Sequence, residues 1–225
     1  MGMGEHSWFH ISDEPSESQL DSYRAAQESI ENLLPEQRCI DALSSFDFYK
    51  LGIVKRPVVA EDHLEPFLKA GVQGLFTYYC TAQGLEVPNR FFSMPSGRNR
   101  ILGTLLYVYD LSGFLHWGLN FYNTQFSKAH IDPFQITDAG GVFPSGDAFL
   151  LYPGEDFQAW PSIRSEVLLE GLQDLRLLRL AESKIGREAV LNLIRELAGY
   201  APTFRHYPVE EHFFSSLQKA LLNLI

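Results

Sequence analysis

The chain has 225 residues, 45% of them hydrophobic and 20% charged, a balance that supports a sizeable core and excludes a disordered polymer. A formal net charge of -10 excludes nucleic acid and anionic membrane surfaces as expected partners, because both recruit clustered Lys and Arg. Cys39 and Cys80 lack the spacing of a disulfide framework or zinc site and read as free, buried thiols. No run of about 18 apolar residues marks a membrane span. MGMGEHSW at the start is not a secretory leader, so the expected compartment is the cytoplasm.

In chain order, the first candidate strand is WFHIS (8–12). Ser16-Glu17-Ser18-Gln19 reads as a capping box opening a helix that runs to Leu34 and stops at Pro35. Strand candidates follow at CIDALS (39–44) and RPVVA (56–60), then a short helix with an acidic first turn at EDHLEPFLKAG (61–71). GLFTYYC (74–80) has the aromatic and β-branched content of a strand. A loop rich in Pro, Gly and Ser leads to a helix at RNRILGTLLYVYDL (98–111) and a further strand at GFLHWGLN (113–120). This alternation predicts βα units around a parallel sheet. Residues 121–147 form a polar excursion too long for a plain connector. AFLLYP (148–153) returns as a strand turned by Pro153-Gly154, and Ser162 caps an amphipathic helix. Two more helices are expected, at about 186–198 and 208–224. Without a repeat, low-complexity tract or linker, residues 1–225 read as one domain.

WFHISDEP ends in two adjacent acids, Asp13 and Glu14. Within a strand they would diverge. At its C-terminal end both can face a barrel mouth, where barrel enzymes keep catalytic groups. Two carboxylates there can divide acid and base roles; equally, they suit the positive end of the helix that follows. Trp117, Asn120 and Tyr122 lie on and after GFLHWGLN, and Tyr78 and Tyr79 end GLFTYYC. Such faces and polar tips receive sugar rings; core packing is their other common use. The seven histidines form no HExxH or HxH, and no metal is assigned, His10 being the residue beside the acid pair. Absence of a phosphate-binding Gly pattern and of GxSxG leaves no cofactor and no serine nucleophile expected. Arg98, Arg100 and Arg164 stand at helix starts, against the dipole. They are candidates for clamping an anion, with structural ion pairing as the alternative.

Four segments in order, WFHISDEP, GFLHWGLNFYN, PSGDAFLLYPG and PSIRSEVLLEGLQDLRLL, make residues 8–195 resemble the catalytic domain of glycoside hydrolase family 123. The resemblance implies a (β/α)8 barrel acting as a β-N-acetylgalactosaminidase, by substrate-assisted, retaining hydrolysis of β-linked N-acetylhexosaminides. The substrate's own 2-acetamido carbonyl attacks the anomeric carbon, so no enzyme nucleophile is needed. By the same resemblance Asp13 orients and stabilises the acetamido group. Glu14 protonates the leaving oxygen and later activates water. Trp117 and Asn120 are carried over as sugar contacts, while Tyr78, Tyr79 and Tyr122 are substrate-binding candidates by position.

In that family the acid pair falls about midway round the barrel; here it lies within fifteen residues of Met1. The strand candidates also fall short of the eight that close a barrel. The expected fold is therefore α/β: the C-terminal portion of a partial (β/α)8 (TIM-like) barrel with extra C-terminal helices. An upstream half-barrel partner or a homodimer would complete it around a carbohydrate substrate. Two other readings stay open, a non-catalytic carbohydrate-binding or interaction module derived from a truncated barrel, and a conventional retaining enzyme in which one acid attacks directly.

Overall fold

The computed structural model describes residues 7–34, 38–84 and 86–224, a mixed α/β structure with a parallel sheet and several helices. It divides into two compact units, the first reaching Tyr78 and adding Leu111–Leu115, the second comprising Tyr79–Asp110 and His116 onward.

The first unit is a succession of parallel strands. β1 (Trp8–Phe9) leads through α1 (Leu20–Leu33) to β2 (Arg38–Cys39), its parallel neighbour. Ile40 alone separates β2 from β3 (Asp41–Leu43), and its N–H donates to Phe9 O at 2.9 Å. β3, β4 (Pro57–Ala60), β5 (Phe76–Tyr78) and β6 (Gly113–Leu115) form a parallel sheet in that order. α2 (Asp47–Lys50) connects β3 to β4; a 3₁₀ turn at Glu61–His63 and α3 (Glu65–Lys69) connect β4 to β5. Every residue of β4 is buried, as a continuous apolar run in a central parallel strand requires. Thr77, opposite Val59, satisfies its buried hydroxyl on Val59 O at 2.8 Å.

Strands here are shorter than the apolar runs that predict them, for a local reason. WFHIS pairs through Trp8 and Phe9, because the N–H groups of Ile11 and Ser12 turn instead to the buried carboxylate of Asp41. The capping box forms, with Ser16 N–H donating to Gln19 Oε1 at 2.9 Å. Its first turn is 3₁₀ (Glu17–Gln19), however, and α1 starts at Leu20. The expected stop at Pro35 lies outside the described residues.

The second unit is mainly helical. α4 (Gly97–Val108), α5 (Ile163–Ile185), α6 (Arg187–Ala198) and α7 (Glu211–Leu222) pack together. α4 is buried from Asn99 to Tyr107. It meets α5 at a pair of glycines: a Cβ on Gly103 would fall 1.8 Å from Gly171 O, and one on Gly171 2.5 Å from Arg100 O. Beside this crossing Arg100 Nε donates to buried Asp174 at 2.9 Å, and Gln218 of α7 donates to the same carboxylate at 2.7 Å. Ser162 caps α5 as expected, its Oγ accepting from Ser165 N–H at 3.3 Å. AFLLYP yields β7 (Leu151–Pro153), which pairs antiparallel with β8 (Ala159–Pro161) as a hairpin. Among the described residues no helix is long and apolar enough to cross a membrane.

Candidate functional site

Asp41 sets the loop that follows β1. It is 1% exposed; Oδ1 accepts from the N–H groups of Ile11 (2.7 Å) and Ser12 (3.0 Å), and Oδ2 accepts from the Tyr23 hydroxyl. Burial pushes its pKa above the ordinary carboxylate range, opposed by those hydrogen bonds. The Tyr23 phenol is likewise pushed up, by burial first and then by Asp41.

With Ile11 and Ser12 pinned, Asp13 and Glu14 come next, both exposed. Glu14 N–H donates to Ala42 O at 3.1 Å, and its Oε1 accepts from the Tyr78 hydroxyl at 2.5 Å. Its φ of 41° is a left-handed conformation that costs a non-glycine residue on the order of 1–3 kcal/mol, tolerated where surrounding bonds over-determine it. Here backbone and side chain are both held. One carboxylate oxygen is fixed by Tyr78, at the C-terminal end of β5. Of the residues singled out in the sequence, this unit thus joins Glu14 to Tyr78, with Asp13 adjacent in the chain. Asp41 was not among them. Its signal is an acid inside the apolar strand CIDALS, which must find partners if buried.

The second unit holds the aromatic candidates around His116. The chain leaves the sheet after Leu115, because His116 Nδ1 accepts from Gly118 N–H (3.0 Å) and from Arg90 (2.8 Å). Two donors on Nδ1 fix the neutral tautomer protonated on Nε2, which donates to Asp147 at 3.1 Å. Burial holds the imidazole pKa below its ordinary value, with Arg90 acting in the same direction and the Asp147 contact opposing. Asp147, fully buried, also accepts from the Trp117 indole N–H at 2.9 Å. Trp117 is 38% exposed and makes T-shaped contacts with Phe121 and Phe143, each ring centroid 5.2 Å away. Tyr79 packs edge-on to His116 at 4.9 Å and is 1% exposed. Trp117 and Tyr79 are therefore organised by one imidazole.

Asn120 and Tyr122 line a separate cavity of about 620 Å³ with Tyr152, Phe157 and Gln158. The Tyr122 hydroxyl donates to Leu151 O at 2.8 Å. Of the three arginines, Arg100 is the ion-paired strut already described. Arg98 donates to Val87 O. Arg164 donates to Phe149 O at 2.6 Å and lies 4.4 Å over the Phe92 ring. His10 Nδ1 is 3.7 Å from Asp41. Among the described residues no group of three or more His, Cys, Asp or Glu is gathered as a metal ligand set.

This chain matches the family description "glycoside hydrolase 123, catalytic domain" over residues 1–181, a span that contains every candidate side chain above. Comparison with curated proteins finds no match. The matched span covers well over half of the sequence, and the chain belongs to the glycoside hydrolase 123 family.

Proposed function

We propose that the protein is a β-N-acetylhexosaminidase, favouring N-acetylgalactosaminides, that works by substrate-assisted retaining hydrolysis with Glu14 as acid/base and Asp13 as acetamido stabiliser. The observation that carries this reading is Glu14 itself, an exposed carboxylate next to Asp13, strained in φ and bonded to Tyr78 at 2.5 Å. In the first step the acetamido oxygen bonds to C1 as the C1–O bond to the leaving group breaks. Glu14 gives its proton to the departing oxygen, and Asp13 balances the positive charge that develops on the acetamido nitrogen. In the second step water bonds to C1, the oxazoline C1–O bond breaks, and Glu14 takes the water's proton. Two displacements at C1 retain its configuration. Trp117 offers a flat, partly exposed face held by Asp147, suited to the apolar side of a sugar ring.

The same reading takes the parallel strands, β1 beside β2 and β3 to β6 in chain order, as an arc of a (β/α)8 barrel with Tyr78 at the C-terminal end of β5 and Glu14 beyond that of β1. Further strands, from an upstream half or a second copy, would close it. The mechanism is tested by comparing para-nitrophenyl β-N-acetylgalactosaminide with the matching β-galactoside. Turnover of the acetamido substrate alone is the expected result. Comparable turnover of the galactoside would replace assistance with direct attack by an enzyme carboxylate.

A further inference from the structure

A cavity of about 440 Å³ in the second unit is lined by Arg90, Arg164, Asn99, Phe92, Met94 and Val167, among other residues, and no Asp or Glu is in its described lining. Its volume falls within the range of small-ligand pockets, roughly 300–1,000 Å³. Its two cations are incompletely satisfied. Arg90 is 3% exposed, and its terminal nitrogen donates to Gly118 O, Asp147 O and His116 Nδ1. Arg164 donates to Phe149 O and is also hydrogen-bonded to the Tyr152 side chain. The Nε atoms of both are buried without a hydrogen-bond partner. The acid acting on Arg90, Asp147, commits its carboxylate oxygens to His116 and Trp117. Arg164 also acts on Arg90 as a like charge, and burial lowers the pKa of each. Buried cations in this condition gain most from an anion that brings oxygen acceptors.

The neutral polar lining narrows the ligand. Asn99 is 3% exposed and donates its amide to Arg164 O at 2.7 Å, and Ser96 and Tyr152, which also line the cavity, carry hydroxyls that can pair with hydroxyls of a ligand. Phe92, Met94 and Val167 give apolar walls for C–H faces.

We propose that this cavity binds an oxyanion, carboxylate or sulfate, carried on a hydroxylated ring such as a uronic acid or sulfated sugar. The site involves neither Asp13 nor Glu14, so it stands or falls independently of the catalytic reading. Calorimetric titration of the full chain with glucuronate, sulfate and glucose at constant ionic strength tests it. Glucuronate should bind saturably and glucose should not. Arg164→Gln should weaken glucuronate by about tenfold or more, the loss of one charge-assisted hydrogen bond. Arg164→Lys, which keeps the charge without the planar fork, should bind between the two; melting curves of both variants report that they fold. Sulfate binding without glucuronate binding would keep the oxyanion site and assign it to a free inorganic ion. Absence of saturable binding by either anion, equal binding of glucose and glucuronate, or undiminished affinity in folded Arg164→Gln would overturn the proposal.

Discussion

Asp41 and His116 are buried polar residues that each dictate where an exposed neighbour goes. Asp41 takes the Ile11 and Ser12 N–H groups, and the chain then delivers Glu14 to Tyr78. An alanine at position 41 removes the acceptor of both N–H groups. Asp41→Ala should therefore lower kcat about tenfold or more on N-acetylhexosaminides, with KM nearly unchanged. A matching fall in KM or an unaltered kcat would remove Asp41 from the positioning of Glu14.

His116 gives a pH prediction. Its folded pKa lies below the ordinary value of 6.5, so below about pH 6.5 the unfolded chain takes up a proton that the native state refuses. The contribution is fully present above about 6.5 and is lost as pH falls towards the folded value, with a slope approaching 1.4 kcal/mol per pH unit. Urea denaturation between about pH 7.5 and 5.5 should show that extra slope in the wild type and not in His116→Gln. At this scale the sequence made the acid pair and Tyr78 legible, because they sit at the ends of recognisable strands. It concealed Asp41 and the His116 role, because their partners are backbone groups or residues about 30 positions away.

At the scale of elements, the α4–α5 crossing depends on two backbones meeting at Gly103 and Gly171. A methyl at Gly103 lands 1.8 Å from a carbonyl oxygen, so the helices must part. Gly103→Ala gains about 1 kcal/mol of helix propensity but should lose more than this through separation of α4 from α5 and strain on the Arg100–Asp174 pair. A net loss of about 1–3 kcal/mol is expected, read as a lower Tm; an unchanged or higher Tm would contradict the close-approach account. Helix identities were legible from apolar spacing and from Ser162. Strand lengths were not: WFHIS and GFLHWGLN run on as apolar or aromatic sequence, yet leave the sheet where backbone N–H groups find Asp41 and the His116 ring. AFLLYP was legible as a strand, but its antiparallel partner at Ala159–Pro161 is an irregular stretch, QAWPS, with no periodicity to announce it.

For the whole molecule, alternation of strands and helices anticipated the parallel order of β3 through β6, and ordered motifs anticipated the family match over residues 1–181. The division into two units left no mark in the sequence, because Leu111–Leu115 rejoins the first sheet from within the second unit's stretch of chain. The central claim is that Glu14 is the acid/base of a family glycosidase. The most direct measurement is hydrolysis of a β-N-acetylgalactosaminide with a poor leaving group by the wild type and by Glu14→Gln. The account predicts turnover by the wild type and a loss of about 10²–10⁴-fold in the variant, the usual contribution of a general acid. Equal rates from the two proteins would contradict it.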